Sequence, residues 1–178
     1  MKYILNNLPR RFHSNENGSA TVEFVVLFPV LFAMIVAMFD SSLLMMKYVV
    51  LENSLDQVVR TVRLSGITSG EAGATYIKQQ VCAKATLISN CEANLYVEMT
   101  PISTGSTFTP SAVTCVDRTA NNKPANTITA GTPNDIVYIR ACVVVDRYFP
   151  SALSGIFNVD KSGGIRLIAD SAYVVEPS

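Results

Sequence analysis

From Phe24 to Phe39 sixteen successive residues carry no charge. A run of that length and character has few fates in a folded protein, and crossing a bilayer is the first of them. The hydrocarbon core asks for about 20 residues at a rise of about 1.5 Å each. Ala20–Val22 upstream, and Leu43–Met46 beyond the Asp40-Ser41-Ser42 interruption, make up the missing length. The span then holds Glu23 inside or at the edge of the membrane. Basic residues crowd only the N-terminal flank, where Lys2, Arg10, Arg11 and His13 stand against one acid, Glu16. That asymmetry keeps the N-terminus in the cytoplasm and sends the bulk of the chain across. The expected organisation is a basic leader at 1–18, a transmembrane helix at 19–42 and a globular domain at 43–178. Cleavage by a signal peptidase fits poorly, because Ala37-Met38-Phe39 puts a bulky residue at the critical last position. Pro29 lies within the span; its missing N–H and its ring predict a kink, which neighbouring helices in a membrane tolerate.

The helix does not end with the apolar run. Leu44, Tyr48, Leu51, Leu55, Val58 and Val62 recur at spacings of four and three, the stripe of an amphipathic helix. Lys47, Glu52, Asp56, Arg60 and Arg63 fall between them, with Asp56 four residues ahead of Arg60 in the orientation that favours a helical ion pair. Gly66 supplies a C-terminal stop. One helix of about 45 residues, Ser19 to Leu64, is expected, near 70 Å long. A shorter helix over Glu71–Ile88 follows. Strands are expected at Asn94–Ile102, where Leu95, Val97 and Met99 alternate with polar neighbours, near Val113–Val116, at Asp135–Tyr148 and at Ile165–Val175. Gly163-Gly164 reads as a hairpin turn. The fold class is therefore α+β: a long N-terminal helix packed by its distal half on an antiparallel sheet of three or four strands.

Charge excludes one broad class of partner. With 14 basic and 14 acidic residues there is no electrostatic footprint for nucleic acid. Cys82, Cys91, Cys115 and Cys142 all follow the apolar run, none with CxxC spacing, and the chain has a single histidine, so a zinc site is not indicated. In an exported domain four cysteines read as two disulfides, each worth about 2–4 kcal/mol. Three connectivities remain open. The preferred one is Cys82–Cys91 with Cys115–Cys142, the first pair stapling a helix end to the strand that follows.

Gly18-Ser19-Ala20-Thr21-Val22-Glu23-Phe24, behind a basic leader and ahead of an apolar helix with a proline, resembles the processing site of Tad/Flp-type pilins and pseudopilins. The likeness is to TadE-like minor pilins. It extends to Leu51-Glu52-Asn53-Ser54-Leu55-Asp56 ahead of Arg60, to Val81-Cys82 with Asn90-Cys91 and Leu95-Tyr96-Val97-Glu98, to Asp135-Ile136-Val137 with Arg140, and to Ala172–Pro177. The resemblance implies cleavage by a prepilin peptidase between Gly18 and Ser19, which leaves Glu23 fifth in the mature chain with Phe24 behind it. It implies as partners a major Flp-type pilin, other minor pilins, an inner-membrane assembly platform and the lipid of a bacterial inner membrane. The globular domain would be periplasmic, and extracellular once assembled into a pilus. Cys115 and Cys142 depart from the family pattern.

An ionised carboxylate in a span costs about 2.5–3.5 kcal/mol, so it is expected to find a partner. The amine of a cleaved Ser19 on a neighbouring subunit would serve and would set axial register. On the residues alone, a glutamate reaching up to the headgroups fits equally well; the Gly18 context favours the first. No catalytic role is expected. His13 lies in the leader, no GxSxG, SxxK, HExxH, P-loop or GxGxxG occurs, and Asp135, Asp146, Asp160 and Asp170 fit solvated faces. No cofactor is implied. The rival reading is a bitopic membrane protein whose periplasmic domain binds a partner or ligand without polymerising.

Overall fold

Helix α1 spans Ser19–Ser65 without interruption and passes through Pro29. The computed structural model describes residues 19–102, 109, 112–118, 124–148 and 163–176, of which 19 and 20 by backbone alone. Gly18 and the rest of the leader lie outside the described residues, as does Asp160. The chain divides into two compact units, one ending at Phe39 and the other running from Asp40 to Ser178.

In the second unit the apolar stripe of α1 is the floor of the core. Leu51, Leu55, Val58 and Val62 are each no more than 1 % exposed, and Leu44 is buried with them. Gly66 closes the helix in a left-handed conformation (φ +70°), its N–H donating to the Val62 carbonyl at 2.9 Å. Only glycine adopts that conformation without a Cβ penalty. Two of the expected helix charges find distant partners. Asp56 accepts from Ser171 Oγ at 2.9 Å, and Arg63 pairs with Glu176 at 2.6 Å.

Helix α2 covers Glu71–Lys84 and stops four residues before the expected Ile88. The Cys82–Cys91 disulfide accounts for the early end. Nine residues of continuous helix would part these Cα atoms by about 13.5 Å, whereas they lie 5.6 Å apart. The chain turns at Ala85, and a single helical turn, α3 (Cys91–Asn94), leads into the sheet.

Four strands follow: β1 (Tyr96–Ile102), β2 (Thr127–Ile128), β3 (Ile136–Val145) and β4 (Ile165–Val174). Their order is β2-β1-β3-β4. β3 pairs antiparallel with β1 and β4, as expected, but β2 runs parallel to β1, so the sheet is mixed. The wholly antiparallel sheet expected from the sequence is corrected at that edge. The reason is the long stretch 103–126 between the two strands: it lets the chain return to the starting end before pairing, as a parallel partner requires. The expected strand near Val113–Val116 is also corrected. That segment has no ladder; the disulfide from Cys115 to Cys142 of β3 holds it by a side chain, and Val116 is buried. Gly163 and Gly164 stand just before β4, at the end of a connection that leaves β3 after Val145, not in a two-residue hairpin.

Met99 and Val97 of β1 face Val137, Ile139, Ala141 and Val143 of β3 within one core cluster that also takes in α1 and α2. Full burial of each such aliphatic chain stabilises the fold by about 1.5–3 kcal/mol. β3 is buried on both faces from Ile139 to Val145, which explains its nearly unbroken apolar sequence. Its one charge, Arg140, sits opposite Glu98 in the β1 register and is ion-paired with it at 3.0 Å. Arg140 also donates to Tyr138 Oη at 2.9 Å.

Candidate assembly surface

The first unit contains the residues singled out for assembly. Val22, Phe24, Leu27, Phe32, Met34 and Phe39 are each more than half exposed. Glu23, also exposed, is the single charged side chain between Thr21 and Phe39. Ser19 is the first residue of α1. Phe24, Phe28 and Phe32 stand four apart and form a ladder, with ring centroids 5.3 and 5.9 Å apart. The spacing of four is legible in the sequence; the approach of the three rings is a finding of the structure. An exposed apolar surface of this extent is far larger than single molecules carry in water. Thr21–Ser65 is long and apolar enough to cross a membrane, and one such helix fits a single-pass membrane protein.

Where the second unit begins, chemistry changes within a few residues. Asp40, read from the sequence only as an interruption, is 6 % exposed, and its Oδ1 accepts the N–H of Tyr148 at 3.1 Å. Two turns later on the same helix Lys47 Nζ donates to the Asp146 carbonyl oxygen at 3.2 Å and lies 4.7 Å from the centre of the Tyr148 ring. Arg118 clasps the Asp146 carboxylate with two bonds of 2.8 and 2.7 Å. That guanidinium holds the Asp146 carboxyl below its ordinary pKa, against a smaller opposing effect of burial. No periodic pattern in the sequence brings Asp40, Lys47, Arg118 and Asp146 together; their meeting is a product of tertiary structure.

The other acids have local duties. Asp135 accepts from the hydroxyl and the N–H of Thr132 at 2.6 and 2.8 Å, which lowers its pKa. Asp170 is exposed on β4. Among the described residues no group of His, Cys, Asp or Glu side chains is placed to hold a metal ion. Cys82 is bonded to Cys91 and Cys115 to Cys142.

The family model for TadE-like protein matches residues 18–60. The match takes in Gly18, Ser19, Glu23, Phe24 and Pro29, the whole apolar run and most of the buried stripe of α1. No curated protein and no solved structure matches the chain. Over residues 18–60, some 43 of its 178, the chain is similar to TadE-like proteins.

Proposed function

We propose that this chain is a minor pilin, or pseudopilin, needed for assembly of a Tad/Flp-type pilus. The single observation that carries the reading is the coincidence, over residues 18–60, of the TadE-like match with an exposed apolar helix. The work proposed is structural, not catalytic. A prepilin peptidase cuts between Gly18 and Ser19. The apolar half of α1 stays in the inner membrane, with the second unit on the periplasmic side, until it enters a pilus or its initiating complex.

In that complex, Phe24, Phe28 and Phe32 give neighbouring helices a surface to pack on, where association in lipid rests on van der Waals fit and on polar contacts. The Glu23 carboxylate meets the new amine of Ser19 on the next subunit and sets the axial register. Partners are therefore the prepilin peptidase, the major pilin, other minor pilins and the assembly platform. The experiment is N-terminal sequencing of the protein matured in its own cells, with Gly18→Ala beside it. An end at Ser19 is expected for the wild type and an uncut leader for the variant, with the folded second unit intact in both. An intact leader on the wild type would refute processing and return the bitopic reading.

A further inference from the structure

A cleft of about 300 Å³ opens in the second unit beside the end of β3. Three cations line it, Lys47, Arg118 and Arg147, against one acid, Asp146. They come from three separate parts of the chain: α1, the segment stapled by Cys115, and the residues just after β3. That acid is already engaged, because both of its carboxylate oxygens accept from Arg118. Asp40, the other acid close by in the fold, is bound to the Tyr148 N–H and is not among the lining residues. The wall is thus positive by two charges, and its remaining polar members include the amides of Asn90 and Asn94.

Arg147 is the informative residue. Its Nε and Nη1 are buried and have no hydrogen-bond partner among the described residues. Guanidinium groups taken out of water are almost always paired, since nothing else compensates the lost hydration. Lys47 and Arg118 cannot serve, because neither side chain accepts a hydrogen bond. The group that would satisfy them is an anion with several acceptor oxygens. A planar guanidinium fork takes two oxygens of such an anion at once, and a tetrahedral phosphate offers further oxygens to cations on other sides. A carboxylate, flat and with two oxygens, would satisfy one wall only.

We infer that the cleft binds a phosphate-class oxyanion through Lys47, Arg118 and Arg147, and that its source is the headgroup of an anionic phospholipid. The source is argued from sequence position. Lys47 stands five residues, about 7.5 Å of helix, beyond the expected end of the transmembrane segment at 42, where a membrane-spanning helix passes from hydrocarbon to headgroups. A lysine there reaches the phosphate layer. The choice of lipid as source rests on the membrane-anchored reading; the chemistry of the cleft does not.

The test uses the full chain in a non-ionic detergent and follows thermal unfolding by far-ultraviolet circular dichroism. One arm adds inorganic phosphate at low millimolar concentration against sodium chloride of equal ionic strength. The other dopes the micelles with phosphatidylglycerol against phosphatidylcholine. Phosphate and phosphatidylglycerol are each expected to raise Tm by about 3–5 °C at roughly ten times the dissociation constant. Arg147→Gln and Lys47→Gln are each expected to cut that rise to about 1 °C or less, while Arg60→Gln, an exposed arginine elsewhere on α1, keeps it. Should Arg147→Gln fail to fold, Lys47→Gln alone decides. A rise with phosphate but none with phosphatidylglycerol would keep the oxyanion site and overturn its lipid source. No rise in either arm, or an equal rise in the cleft variants, would overturn the proposal. None of these outcomes depends on whether the leader is cut, so the pilin reading stands or falls separately.

Discussion

Asp40 ties the start of the second unit to the end of β3, and that tie can be measured. Its carboxylate is 6 % exposed and accepts the Tyr148 N–H at 3.1 Å, across 108 residues of sequence. A hydrogen bond to an ionised acceptor contributes about 1.5–3 kcal/mol. Tyr148 is itself 61 % exposed, so water can reach its N–H when the carboxylate is removed, and the low end of the range applies. Asp40→Ala is therefore expected to cost about 1.5 kcal/mol, which for a chain of this size lowers Tm by roughly 3–6 °C. Asp40→Asn keeps an oxygen in place and removes a buried charge. Its neutral bond is weaker, but the relieved desolvation offsets the difference, and a loss of about 0.5 kcal/mol or less is expected. The assay is thermal unfolding of the full chain in detergent, with amide hydrogen exchange at Tyr148 as the local readout. Protection of that amide should fall in the alanine variant and persist in the asparagine variant. An alanine variant as stable as wild type would refute the tie. An asparagine variant as unstable as alanine would show that charge, not the acceptor, is what Asp40 supplies.

Two further predictions concern the second unit. Gly73→Ala would ordinarily stabilise a helix by about 1 kcal/mol, but here the new Cβ would run into the Thr68 carbonyl oxygen and press on Ile128 and Ile67 side chains at 3.3 Å. A net loss of about 1–3 kcal/mol is expected in urea unfolding, and a gain would sink the argument. The Asp146–Arg118 pair should show in the pH dependence of stability. A carboxyl whose folded pKa is depressed adds stability that is present above its ordinary value of 3.8 and is lost as pH falls through the lower folded value. Wild type and Arg118→Gln should thus differ at pH 7 and converge in unfolding midpoint below the ordinary carboxylate range. The difference should be small, because the Asp146 side chain is 74 % exposed. Curves that stay parallel to the lowest pH would refute the pairing.

Local pattern decided much of this protein. The end of charge at Phe24 and its return at Asp40 set the apolar half of α1, and the spacing from Leu44 to Val62 set the half that became core, because a helix repeats its faces every 3.6 residues whatever surrounds it. Gly66 as a stop, the alternation of β1 and the apolar density of β3 were legible for the same reason. β2 was not legible, since two residues are too few to display a period; its parallel pairing depends on where a long connection brings the chain back. The strand expected at Val113–Val116 failed because a disulfide, not a ladder, occupies that segment.

The residues singled out in the two units divide along the same line. Gly18, Ser19, Glu23 and Phe24 declared themselves as a contiguous block, readable without any fold. Arg118, Asp146 and Arg147 share no spacing with Lys47 or with Asp40, and only the closing of β3 against α1 sets them side by side. Periodicity and short motifs are properties of neighbours along the chain, so composition and order suffice to state them. Which charge meets which across a hundred residues is settled by packing alone, since the energy of an ion pair or a buried hydrogen bond depends on distances that exist only once the sheet has docked on its helix.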